Sequence, residues 1–210
     1  MTRLALALAL GLAVPLAAQG GVQLSGGLDA TSLHTASDVG SAGTKLSGVL
    51  LGGSGRLTYR ALSLDLDYRQ GSLQPAGGGI SQEGVEGALL LGVSPRPWLT
   101  IRVGPHARTY VAPSGTQRWL MWELRGRAEG DLVPGTPLRG YVELWDVASA
   151  DVNVTETLDS GRGGEGGMLF RVRPPVWLRL SYGIEHLRLG SGARLETVDR
   201  LFFGATFDRR

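Results

Sequence analysis

From residue 22 to the end of the chain, apolar side chains recur at every second position, and this period constrains the fold more than any other feature. The pattern is cleanest where Leu62, Leu64, Leu66 and Tyr68 alternate with Ser63, Asp65, Asp67 and Arg69. On a helix, with about 100° per residue, the two sets would scatter around the cylinder. On a strand they separate onto opposite faces.

The same separation sets Leu99, Ile101 and Val103 against Thr100 and Arg102, and Leu120, Trp122 and Leu124 against Glu123, Arg125 and Arg127. Leu138, Val142 and Leu144 oppose Arg139 and Glu143, and Met168, Phe170 and Val172 oppose Leu169, Arg171 and Arg173. Leu178, Leu180, Tyr182 and Ile184 oppose Arg179, Ser181 and Glu185. A final segment aligns Leu201, Phe203, Ala205 and Phe207. Segments 22–32, 46–59 and 85–93 are noisier; over 46–59 glycine blurs the choice of face, and over 85–93 Glu86 falls on the polar side. The count is about ten strands, with eight and twelve as the neighbouring possibilities.

The connections carry independent information. Tight ones contain Tyr59-Arg60-Ala61, Ser94-Pro95-Arg96-Pro97, Val133-Pro134-Gly135-Thr136-Pro137 and Arg173-Pro174-Pro175. Looser, Gly- and Ser-rich ones cover 35–43, 74–81, 112–116, 148–164 and 190–195. Tight and loose connections alternate, as in antiparallel hairpins with short turns at one rim and longer loops at the other. Both chain ends then fall on the short-turn side, which requires an even strand number. Proline is expected only in the turns, since it cannot donate to a ladder.

What occupies the second face of each strand separates a membrane barrel from a soluble one. Here it carries charges of both signs, built from arginine and carboxylates, while the chain has one lysine, Lys45. A planar guanidinium, weakly hydrated and able to bond a carboxylate bidentately, suits a confined interior. Candidate lumen residues in an ion-pair network are therefore Asp65, Asp67, Arg69, Glu86, Arg102, Glu123, Arg125, Arg127, Arg139, Glu143, Arg171, Arg173, Arg179 and Glu185. The apolar face would meet lipid, with Tyr59, Trp122, Tyr182, Phe203 and Phe207 sharing its parity; Trp98 and Trp177 would cover the turn rim.

The opening residues fit export. Met1-Thr2-Arg3 is followed by an apolar run over 4–14 and by Pro15-Leu16-Ala17-Ala18-Gln19, the order of a secretory signal peptide cleaved after Ala18. This run is shorter than the roughly 20 residues of a membrane helix, and no later stretch reaches that length. The expected organisation is a signal peptide over 1–18 and a closed antiparallel transmembrane β-barrel over 19–210. Without cysteine there is neither a disulfide framework nor a thiolate metal site, and a net charge of +2 offers no basic patch for nucleic acid.

With its signal peptide, alternating strands and Leu201-Phe202-Phe203-Gly204-Ala205-Thr206-Phe207 near the end, the chain resembles the bacterial outer-membrane β-barrel class of small, porin-like barrels. The resemblance implies a place in the outer membrane and a final strand read by the barrel-assembly machinery. Asp208-Arg209-Arg210 follow that strand, and Ala205 stands where the class often has an aromatic. Ten strands would leave a narrow or plugged, charged lumen. The implied function is a structural or surface role, partner contact through loops, or passage of small solutes.

Two alternatives stand beside it. An outer-membrane hydrolase, omptin- or lipase-like, would need convergent acid and histidine groups at one rim; Asp65 and Asp67 are the sharpest acid pair, but a matching Asp-x-His is missing. A soluble periplasmic lipid-binding barrel would turn its apolar face inward. His34 and His186 fall near loop ends and His106 has lumen parity, with no pair at ligand spacing, so neither a metal site, a cofactor nor an enzymatic activity is expected. Gly77-Gly78-Gly79 and Gly161-Arg162-Gly163-Gly164 precede no helix, so they read as exposed loops and not as phosphate cradles.

Overall fold

The computed structural model describes residues 21–39, 42–113, 115–153 and 156–207; the expected signal peptide and Asp208-Arg209-Arg210 lie outside them. Among the described residues there are ten strands: β1 (Val22–Val39), β2 (Ala42–Tyr59), β3 (Leu62–Pro75), β4 (Gln82–Arg96), β5 (Leu99–Ala112), β6 (Gly115–Asp131), β7 (Leu138–Val152), β8 (Leu158–Arg173), β9 (Val176–Leu189) and β10 (Arg194–Phe207). Each pairs antiparallel with the next, and β10 pairs with β1 in a register that sets Ala30 opposite Phe203, closing the barrel. Closure leaves no strand edge, so the ladder satisfies the backbone that lipid cannot.

The strands are longer than the sequence suggested, at 14 to 18 residues. Segments 35–43 and 148–164, expected as loops, are largely strand: β1 runs on to Val39, β2 starts at Ala42, and β8 carries the Gly161-Arg162-Gly163-Gly164 stretch. Serine and glycine do not end a strand that a neighbour's ladder still holds: β1 pairs with β2 as far as Val39–Ala42, and β8 pairs with β9 through Gly161. The expected contrast between rims shrinks accordingly. Turn-rim connections span 60–61, 97–98, 132–137 and 174–175, and the longest connection of the opposite rim, 76–81, is no longer than 132–137.

Proline is not confined to turns either. Pro105 sits inside β5, and the β4–β5 ladder is interrupted there, between the Ala88–His106 and Leu91–Val103 pairs. The missing amide donor falls at that interruption, while pairing with β6 continues through Pro105 and Trp122.

Leu64, Ile101, Leu124, Leu180 and Phe203 are exposed on the outer wall, whereas Arg102, Glu123 and Glu143 are buried on the inner one. The belt of outward apolar residues covers about eight residues per strand from the turn rim, roughly 20 Å at an ordinary barrel tilt. Tyr68, Trp122 and Tyr182 mark its upper border. The hydroxyls of Tyr68 and Tyr182 donate to Gln70 (2.8 Å) and Asp199 (2.7 Å), out of the belt.

Above that border the two faces exchange polarity. On β3 the outer wall changes from Leu62, Leu64, Leu66 and Tyr68 to Gln70, Ser72 and Gln74, while the inner wall changes from Asp65, Asp67 and Arg69 to the buried Leu73. On β9 the exposed His186 and Arg188 succeed Leu180 and Tyr182 outside as Leu187 and Leu189 succeed Glu185 inside. The barrel thus has a membrane protein's polarity near the turn rim and a soluble barrel's polarity near the loop rim.

Candidate functional site

The interior has two storeys. In the loop-side half, Leu33, Leu46, Leu50, Leu73, Tyr110 and Val198 form one buried apolar cluster, and Trp119, Met121, Val147, Leu187 and Leu189 form another. Together these side chains fill the upper lumen as a plug. Glycines of β8 make room for it and for the rings below. A Cβ on Gly161 would lie 2.6 Å from Cδ2 of Leu187, and one on Gly167 would lie 2.6 Å from Cε1 of Tyr141. The Trp145 ring occupies the corresponding space over Gly163.

Beneath the plug lies an ionic layer. Arg108 on β5 donates from Nε to Glu86 and from Nη2 to Glu185, both at 2.8 Å. Arg200 on β10 reaches the same two acids at 3.2 and 3.5 Å. Strands β4 and β5 stand opposite β9 and β10 in the ring, so this square of charges spans the lumen from wall to wall. All four side chains are buried, Arg108 and Glu185 to 1% and 0% exposure. Charges this far from water persist only when each is paired and hydrogen-bonded. Trp145 Nε1 adds a 3.3 Å bond to Glu185.

Beside the square, His106 Nδ1 lies 2.7 Å from Glu123, which also accepts from Arg125 Nε at 2.7 Å. His106, Glu123 and Glu185 bring one potential ligand atom each within 4.8 Å of one another, a grouping from three strands that no sequence spacing could reveal. Both acids already hold arginine, which makes ion pairing the simpler chemistry of this trio. Further toward the turns, Glu143 gathers Arg102, Arg125 (3.3 Å) and Arg127 (3.7 Å). Arg69 binds Asp29 bidentately, at 2.8 and 3.2 Å, and approaches Asp67 at 3.4 Å. Arg56 pairs with Asp65, which also accepts from Ser63 at 3.1 Å. Arg179 pairs with Glu165 and donates to the Tyr141 hydroxyl at 2.7 Å, while Arg139 bridges Glu129 and Asp131 at 3.1 Å each. Between these charges lies a cavity of about 180 Å³, lined on its apolar side by Trp177 and Phe202.

Of the residues singled out from sequence, Asp65, Asp67, Arg69, Glu86, Arg102, Glu123, Arg125, Arg127, Arg139, Glu143, Arg179 and Glu185 are thus drawn together on the inner wall. Arg171 and Arg173 are not. Both are exposed at the turn rim, where β8 shifts register against β9 between them, and Arg171 lies 5.4 Å from the Trp177 ring centroid. Sequence reasoning missed Asp29, Arg56, Arg108, Glu165 and Arg200. Asp29 and Arg56 sit on the two noisier N-terminal segments, Glu165 next to a supposed loop, and Arg200 on a face that it shares with Phe202, Gly204 and Thr206. Arg108 shares the parity of His106, which was the available signal.

No protein-family model matches the chain, and no curated protein sequence matches it. Among solved structures, the outer membrane protease OmpT from Escherichia coli is similar, with a TM-score of 0.61 at 8% identity over 89% of this chain and 96% of that one. The translocator domain of the autotransporter NalP from Neisseria meningitidis is matched with a TM-score of 0.48 at 11% identity, covering 90% of this chain and 89% of that one. Neisserial surface protein A is matched with a TM-score of 0.44 at 14% identity, covering 87% and 96%. The likeness to the first of these is a likeness of fold. The chain has the fold of an outer-membrane β-barrel, and its apolar belt is the surface that such a barrel presents to lipid.

Proposed function

We propose that this outer-membrane β-barrel is a sealed scaffold: its lumen does not conduct, and its work is done by the rims it holds apart. The observation that carries this reading is the buried square of Arg108, Glu185, Arg200 and Glu86 beneath the apolar plug. Passage of a solute would have to break paired charges in the interior and also displace packed leucines, two separately costly events. Asp65 and Asp67, the strongest candidates for hydrolytic acids, serve in this reading as partners of Arg56 and Arg69. A catalytic water would have to displace those arginines first. The outward Leu201, Phe203 and Phe207 of β10 are the side chains this reading offers to the assembly machinery. The test is conductance of the purified protein in planar bilayers. The sealed scaffold gives no steady current above the bare membrane; a stable ohmic current would establish solute passage instead.

A further inference from the structure

We propose that the outer wall beside the loop rim is a lipid-ester hydrolase site, with Ser47 as nucleophile, His34 as its general base, Asp199 positioning the imidazole and Gln74 receiving the oxyanion. The four residues form one row across four strands. Asp199 of β10 stands directly opposite His34 of β1, His34 opposite Ser47 of β2, and Ser47 opposite Gln74 of β3. Their chain neighbours Val198, Leu33, Leu46 and Leu73 point into the plug, so the row faces outward, and none of its members is buried. Strands about 4.8 Å apart set the backbones of Asp199 and Ser47 roughly 10 Å apart, a gap that their side chains narrow to what an imidazole spans when it is hydrogen-bonded on both sides. Tyr182 donates to Oδ1 of Asp199 at 2.7 Å, which fixes the carboxylate and leaves Oδ2 for Nδ1 of His34. Among the described residues the side chains of His34, Ser47 and Gln74 have no other hydrogen-bond partner, and catalytic hydrogen bonds tighten once substrate is bound. His186, the other outward histidine, stands between Thr197 and Arg162 and bonds Thr197 at 3.1 Å, with neither acid nor serine beside it in its row.

The wall below the row selects the substrate class, an acyl ester of a membrane lipid. On β2 Val49 and Leu51 are exposed and apolar, opposite Ser72 and Gln70, where β3 has already turned polar. An apolar track therefore runs from the lipid belt up to Ser47. An acyl chain lying on it brings its ester carbonyl to the Ser47 hydroxyl, beside the belt border marked by Tyr182. Oγ of Ser47 attacks the carbonyl carbon as its proton passes to Nε2 of His34. The Gln74 amide donates to the oxyanion, and Lys45, two residues from Ser47 on the same exposed face, adds a cation. The ester C–O bond breaks, and the leaving alkoxide takes the proton from His34. Water then attacks the acyl-serine ester, losing a proton to His34; collapse of that intermediate returns the proton to Ser47 and releases a fatty acid. Because the site lies on the outer wall, it does not depend on whether the lumen conducts.

The test incubates the full protein, folded in detergent micelles, with dioleoyl phosphatidylethanolamine and measures released fatty acid. Release is expected, and Ser47→Ala or His34→Gln lowers its rate at least about a hundredfold. Gln74→Ala lowers kcat about a hundredfold with little change in KM. Asp199→Asn lowers kcat at unchanged KM, and Asp199→Glu restores part of it, a rescue that a merely structural residue would not give. His186→Gln leaves release unchanged. Heat-modifiable mobility confirms that each variant is folded. No fatty acid from the folded parent protein would overturn the proposal, and so would release that survives Ser47→Ala or His34→Gln.

Discussion

Arg108 and Glu185 grow from opposite walls of the barrel and meet at 2.8 Å in its centre, both fully buried, so the lumen is held across its diameter by charge. Removing one member leaves the other buried with one charged partner in place of two, Glu185 with Arg200 at 3.5 Å or Arg108 with Glu86 at 2.8 Å. Arg108→Gln or Glu185→Gln is therefore expected to cost about 3–5 kcal/mol of stability. The double substitution Arg108→Leu/Glu185→Leu should cost less than the sum of Arg108→Leu and Glu185→Leu, and urea unfolding in detergent micelles measures both. Additivity of the two would show that the pair is not coupled.

The plug gives a second expectation. Leu50, Leu73 and Leu187 are wholly buried in the loop-side lumen, and truncating any of them to alanine leaves a cavity there. A loss of about 2–5 kcal/mol is expected for each, read from the same unfolding transitions. Losses under half a kcal/mol would mean that the upper lumen is loosely filled.

A third concerns β8. The Tyr141 ring lies where a side chain on Gly167 would have to go, with Ser181 Cβ 2.5 Å from the site on the other flank. Backbone and ring cannot both stay in place if that glycine gains bulk. Gly167→Val should lower the yield of heat-modifiable folded barrel sharply. Gly130→Val, at a glycine with open space around it, should not.

The belt gives a fourth. Leu64 and Gln70 share the outer face of β3, yet Leu64 lies within the lipid belt and Gln70 above it. Arginine at position 64 should cost about 2–4 kcal/mol, depending on its depth, and at position 70 about 0–1 kcal/mol. Equilibrium folding into lipid vesicles compares Leu64→Arg with Gln70→Arg directly.

Much of this was legible in the sequence, and its limits were physical. The alternation of Leu62 to Arg69 showed which residues share a wall, because a strand has only two faces. A lipid-facing rule then assigned the walls, and it holds at the level of Leu64 or Leu180. The same rule fails for Leu73, Trp119 and Leu187, where the outer wall has left the membrane and hydrophobic burial turns inward. A phase change is present in the sequence at Gln70-Gly71 and again at His186-Leu187, but a reading that assumes one solvent along the whole strand passes over it. The pairing of Arg108 with Glu185, 77 residues apart, was out of reach because strand parity says which wall a residue faces and nothing about what it meets across the lumen.

Since the chain has no cysteine, single cysteines can be introduced and labelled without interference. Along β3 and β9, positions 64, 70, 180 and 188 would each carry a fluorophore in vesicles containing brominated lipid. Strong quenching is expected at 64 and 180 and little at 70 and 188, with the border at the level of Tyr68 and Tyr182. Equal quenching at all four, or quenching at 70 and 188 alone, would contradict the exchange of polarity on which the sealed barrel rests.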